Sequence, residues 1–77
     1  MNKNNYKEEQ FQRWRVVSQR TGFSRAKLYA MLDKNSRGYD PDFPKPIKLG
    51  KGAVAWLSTE IDEWIEKKVI QTRGLVS

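Results

Sequence analysis

Apolar positions along the 77 residues come in short bursts rather than long runs. The first informative stretch is Val16 to Leu32. Val16 and Val17 precede Gly22, and Phe23, Leu28, Met31 and Leu32 follow it. Leu28, Met31 and Leu32 fall at i, i+3 and i+4, one face of a helix running from about Ser24 to Asp33. Gly22 suits the break before that helix, because glycine closes a helix in the left-handed conformation without steric cost. Ser24 can restart the chain by accepting a hydrogen bond from a free amide of the next turn. Two short helices joined by a tight glycine turn make a helix-turn-helix, whose second helix can enter a DNA major groove. The same arrangement also serves as a plain packing unit, so the pair alone fixes no function.

The pattern then changes. Asn35 to Pro46 carries three prolines and a glycine, which exclude helix and leave an extended path. Phe43, between Pro41 and Pro44, is expected to fold back on the core. Ile47-Lys48-Leu49 alternates apolar and basic, Gly50-Lys51-Gly52 supplies a turn, and Ala53 to Trp56 returns. This predicts a small β-hairpin with Lys51 at its tip. Two strands alone are marginal in water, so the hairpin must lean on the helices through Ile47, Leu49, Val54 or Trp56. Ser58 or Thr59 caps a last helix with Glu60 and Asp62 in its first turn and Lys67 and Lys68 in its last. Ile61, Trp64, Ile65 and Lys68 mark its inner stripe, while Asp62, Glu63 and Glu66 face outward. The predicted organisation is a flexible polar segment over residues 1–11, one domain over 12–69 and a disordered tail over 70–77. Within the first segment, Tyr6 to Phe11 gives only weak support for a helix.

Charge separates the packing reading from a binding one. The net charge is +6, but residues 11–54 hold ten Lys or Arg against three Asp, a net of +7, while residues 1–10 balance and residues 55–77 are slightly acidic. Positive charge gathered on the helix pair and the following segment implies a polyanionic partner. On the second helix, the face away from Leu28 is Ala26, Ala30 and Asp33, flanked by Lys27 and Tyr29. Small residues there admit a close approach to another surface. Arg25 and Lys27 lie in the first turn, where a recognition helix meets base edges or phosphates. Arg20, beside the turn, can reach a phosphate. Lys51 has a plain alternative as the solvated lysine of an ordinary tight turn. Trp14, Trp56 and Trp64 are read as core, and Tyr29 as partly buried under the hairpin.

Absent residue types narrow the chemistry. There is no cysteine, hence no disulfide or thiolate metal site, and no histidine, the commonest general base. No apolar run has membrane length, and a soluble cytoplasmic protein is expected. Carboxylates cluster at Asp40/Asp42 and at Asp62/Glu63/Glu66. The first pair is read as lying in a polar loop and the second group on a solvated face, neither desolvated enough to tune a pKa. No enzyme activity, cofactor, metal or small-molecule ligand is therefore expected.

Five blocks of the chain, taken in order, carry a family resemblance. They are Thr21-Gly22-Phe23-Ser24-Arg25, Leu28-Tyr29, Phe43 to Gly50, Val54 to Leu57 and Glu60 to Ile65. Together they resemble the AlpA-like phage regulators, a family related to phage excisionases and MerR-type DNA-binding domains. The resemblance implies a mainly α fold with a small β-hairpin, a winged helix-turn-helix. It also implies a DNA-binding protein of a prophage or integrative element, acting on transcription of an integrase gene or as an excisionase. Carried over by position, Ser24 and Arg25 begin the recognition helix, and Lys45, Lys48 and Lys51 fall in the wing. Family members often carry a polar residue at the position of Ala26 and arginines at Ala30 and near Ala53. Their replacement by alanine shifts the expected readout toward methyl contacts and DNA shape. The partners implied are double-stranded DNA, integrase and further copies of the chain along DNA. The rival reading is a protein-protein adaptor working through the acidic last helix and the aromatic stripe.

Overall fold

In a computed structural model of the chain, residues 10–74 are described; most of the segment expected over 1–11, with the weak helix signal from Tyr6, and the end of the tail expected over 70–77 lie outside them. The elements in order are β1 (Phe11–Gln12), α1 (Trp14–Thr21), α2 (Arg25–Leu32), β2 (Ile47–Gly50), β3 (Ala53–Leu57) and α3 (Ser58–Arg73). This is the expected winged helix-turn-helix: three helices and a hairpin, with one added strand.

The turn between α1 and α2 is built as the residues dictate. Gly22 takes φ 80° and ψ 5°, and its amide donates to the Ser18 carbonyl at 2.8 Å. Two hydroxyls reinforce it. Ser18 Oγ donates to the Phe23 carbonyl at 2.6 Å, while Thr21 Oγ1 donates to the Val17 carbonyl and accepts from the Phe23 amide. Ser24 then caps α2, its Oγ accepting from the Lys27 amide at 3.1 Å. Backbone and side chains thus both hold the crossing of the two helices.

The sheet has the order β1-β3-β2, antiparallel throughout. Lys48 pairs with Val54 and Gly50 with Ala53, so Leu49 is an extra residue without a counterpart, a bulge just before the tip. Lys51 and Gly52 make the turn, with Gly52 at φ 74°. Of the residues expected to tie the hairpin down, Trp56 is fully buried, while Ile47 and Leu49 remain exposed. Strand β1 was not expected. Phe11 and Gln12 pair with Leu57 and Trp56, and Ser58 and Gln10 exchange bonds, the Ser58 amide to the Gln10 carbonyl and the Gln10 amide to Ser58 Oγ. Gln10 and Phe11, expected in a flexible segment, are therefore held at the sheet edge, with Ser58 Oγ as one of the ties. Leu57 occupies the cap position of α3. The helix also continues to Arg73, so residues 70–73 are ordered helix, not the start of a tail.

Val17, Leu28, Met31, Phe43, Trp56, Ile61 and Trp64 form the core, with Trp14, Phe23, Leu32 and Ile65 packed against it. Phe43 folds back as expected, its ring edge-on to Trp64 at 5.1 Å and tilted against Trp56 at 6.1 Å. Both indole N–H groups find acceptors: Trp56 Nε1 donates to the Pro44 carbonyl at 2.9 Å and Trp64 Nε1 to Asp40 Oδ2 at 3.2 Å. Burying Trp56 completely contributes about 4–6 kcal/mol by its apolar area, which makes it the principal tie between hairpin, loop and helices.

Candidate nucleic-acid interface

The first turn of α2 brings Ser24, Arg25, Ala26 and Lys27 together, all exposed. That turn contains no acidic residue, so Arg25 and Lys27 stand against the positive end of the helix dipole. A helix shaped only for stability would carry Asp or Glu there. Arg25 is also oriented. Its guanidinium carbon lies 4.8 Å from the Trp14 ring centre and 5.9 Å from that of Tyr29. Arg15 lies over the same indole at 5.4 Å. Lys27 leans over Phe23 instead, 5.6 Å from its ring centre.

Ala30 departs from expectation. It is half-buried, and a Cβ placed on Gly38 would lie 3.7 Å from that of Ala30 and 3.3 Å from Lys27 Nζ. The loop after α2 therefore runs along this flank and covers part of the surface that the helical pattern assigned to a partner. The free face of α2 is Arg25, Ala26, Tyr29 and Asp33. Tyr29 is 37% exposed, with one side edge-on to Trp56 at 6.2 Å, so it leans on β3 as expected without being covered. Lys45 in the loop leading into the hairpin, Lys48 on β2 and Lys51 at the tip are all exposed.

Arg20 is not brought to this group. Its guanidinium pairs with Asp62 of α3, donates to Gln12 Oε1 at 2.9 Å and lies 3.5 Å from the Ser58 carbonyl. The phosphate role expected for it gives way to a structural one, tying α1 to β1 and α3. The other described salt bridges also involve α3: Lys67 with Asp42 at 3.2 Å and Lys68 with Asp40 at 3.0 Å. Among the described residues, no salt bridge engages Arg13, Arg15, Arg25, Lys27, Lys34, Arg37, Lys45, Lys48 or Lys51. Among the described residues, Arg20, Lys67 and Lys68 are thus paired, while every Lys and Arg of α2, the loop after it and the hairpin is unpaired, as are Arg13, Arg15 and Arg73 outside them. Lys34 and Arg37, in the loop beside α2, join the unpaired set. The overall charge of the segment was the only sequence signal for them.

Asp40 corrects the reading of the loop carboxylates. Its side chain is only 13% exposed. Burial pushes its pKa upward, but bonds from Lys68, the Asp42 amide and the Trp64 indole outweigh this and hold the carboxyl below its ordinary value. Its own amide donates to the Met31 carbonyl at 2.9 Å. Asp40 is thus a loop anchor joining α2 to α3.

The match to known proteins follows these elements. A family model described as the prophage CP4-57 regulatory protein (AlpA) covers residues 10–69, from the edge of β1 to well inside α3. The DNA-binding transcriptional activator AlpA of Escherichia coli (strain K12) is 43% identical over 53 residues, which is 69% of this chain and 76% of that protein. No solved structure gives a significant match. With its helix-turn-helix, its basic hairpin and the family match running through both, the chain belongs to the AlpA family of prophage regulatory proteins.

Proposed function

We propose that the chain binds duplex DNA, with α2 in the major groove and the hairpin as a wing on the neighbouring backbone, to regulate a prophage or integrative element. The observation that carries this reading is the separation of charges. Arg20, Lys67 and Lys68 are each paired with a carboxylate, whereas the Lys and Arg of α2, the loop beside it and the hairpin have none among the described residues. Unpaired Lys and Arg on one set of elements are what counterion release from DNA requires. An α-helix such as α2 is about 10–12 Å across with its side chains, close to the width of a major groove. The relative from Escherichia coli, described as a DNA-binding transcriptional activator, supports the same reading.

Within this reading the regulator acts on an integrase gene or serves as an excisionase. One module of this kind covers about 600–1,000 Å² of protein surface, so several copies on direct repeats, with integrase as a further partner, suit it better than one isolated copy. The experiment is a binding titration on duplex DNA over a range of salt. About four to six phosphate contacts give log K against log salt a slope of roughly −4 to −5. No binding at about 50 mM salt, where such contacts are strong, overturns the proposal. Excision and promoter assays on the native element then separate the two regulatory roles.

A further inference from the structure

We infer that Trp14 and Tyr29 are positioning residues that hold Arg25 as a preformed reader of guanine; this rests on the DNA-binding reading above. The observation is a stack. The Arg25 guanidinium lies 4.8 Å from the Trp14 ring centre and 5.9 Å from that of Tyr29, with no salt bridge to a carboxylate among the described residues.

Two aromatic faces attract a guanidinium through their quadrupoles while leaving its N–H donors available at the edges. A free arginine loses considerable rotamer freedom when a base fixes it, and a stacked one has already lost part of that freedom. Both rings are themselves held. Trp14 packs against the core and Tyr29 sits edge-on to the fully buried Trp56, so the platform is anchored rather than floating. Arg15 over the same indole adds a second positive charge without a described counterion, which favours a negatively polarised ligand at this spot.

Guanine is the base that fits. Arg25 is the first residue of α2, at the end of the helix whose side chains meet base edges, and its planar fork matches the O6 and N7 acceptors of guanine. The neighbouring Ala26 is exposed and small, so nothing on that side hinders the approach. A phosphate would also accept from Arg25, but a phosphate contact would add affinity to every sequence alike.

The test uses the full chain and a selection from random duplexes, followed by titration on the selected site and on an unrelated duplex. Tyr29→Leu removes one ring face and Tyr29→Phe keeps it; Trp14→Leu and Trp14→Phe repeat the comparison at the other ring. The leucine variants are expected to lose about three- to tenfold on the selected site and to relax one guanine position, with unrelated DNA bound as before. The phenylalanine variants keep the preference. A reading independent of DNA is the NMR signal of the Arg25 guanidinium, which ring currents displace in the wild type and in Tyr29→Phe but displace less in Tyr29→Leu. Retention of the guanine preference in folded Tyr29→Leu and Trp14→Leu overturns the proposal, as does an equal loss on all sequences. If the wild-type chain binds no duplex at all, the underlying DNA reading falls first, whatever the NMR signal shows.

Discussion

Helices α2 and α3 place charge oppositely along their axes. In α3, Glu60 lies in the first turn and Arg73 in the last, so both ends complement the helix dipole. In α2, the first turn carries Arg25 and Lys27 without an acid, and the last turn has no base. The neighbourhoods differ in the same sense. Asp62 and Lys68 on α3 are engaged by Arg20 and Asp40, while Arg25 lies against two aromatic rings with no salt bridge among the described residues. One helix is arranged for the folded chain itself, and the other accepts a local cost that a polyanion would remove. Arginine therefore does two different jobs in this protein: Arg20 is structural, and Arg25 is left available.

The largest expected effect breaks both sides together. Trp56→Ala should cost about 3–5 kcal/mol, a large share of the stability of so small a domain, because hairpin, loop and Tyr29 all rest on this indole. Thermal denaturation reads it, and DNA binding should disappear with the fold. A variant that melts like the wild type would mean that the hub lies elsewhere.

Next in size, and confined to α2, Arg25→Ala should cost about 1–3 kcal/mol on the preferred duplex and leave the melting temperature nearly unchanged. Arg20→Ala should do the reverse. It loses up to about 1 kcal/mol of stability, discounted for the exposure of its ion pair, and keeps its binding salt slope. If the two variants behave alike, the division between paired and unpaired cations has no functional meaning.

Asp40→Asn sharpens the comparison on the α3 side. Losing the charged acceptor should cost about 1–2 kcal/mol at neutral pH. Because folding lowers the pKa of Asp40, its contribution is fully present above the ordinary aspartate range of about 4 and is lost as pH falls through the lower folded value. Urea denaturation of both proteins at neutral pH and in acid should therefore show the gap between them closing in acid. A gap that is constant with pH would mean that the carboxylate's charge contributes nothing.

What was legible in the sequence was local. Gly22 as a left-handed helix end, Ser24 as a cap, the Lys51–Gly52 tip and the Ile61/Trp64 stripe each depend on residues within a few positions of one another, and each is found. What was missed depends on partners far along the chain. Two residues of β1 carry no strand signal and are fixed only by pairing with β3. Arg20 meets Asp62 only after the chain has folded, which ties it to α3 instead of leaving it free beside α2. The loop at Gly38 covers Ala30, something helical periodicity cannot report because it treats the opposite face as open. The resemblance to a family assigned the candidate interface to more residues than the pattern alone could, yet it offered no sign of the rings around Arg25.

The central claim, that unpaired cations and not cations in general bind DNA, is tested most directly by the salt slopes of two double variants. Lys48→Ala with Lys51→Ala removes two charges from the hairpin, and Lys67→Ala with Lys68→Ala removes two from α3, where both are paired. The change in net charge is the same. The account predicts that the first pair reduces the magnitude of the slope by about two and the second leaves it unchanged. Equal reductions in both would contradict it.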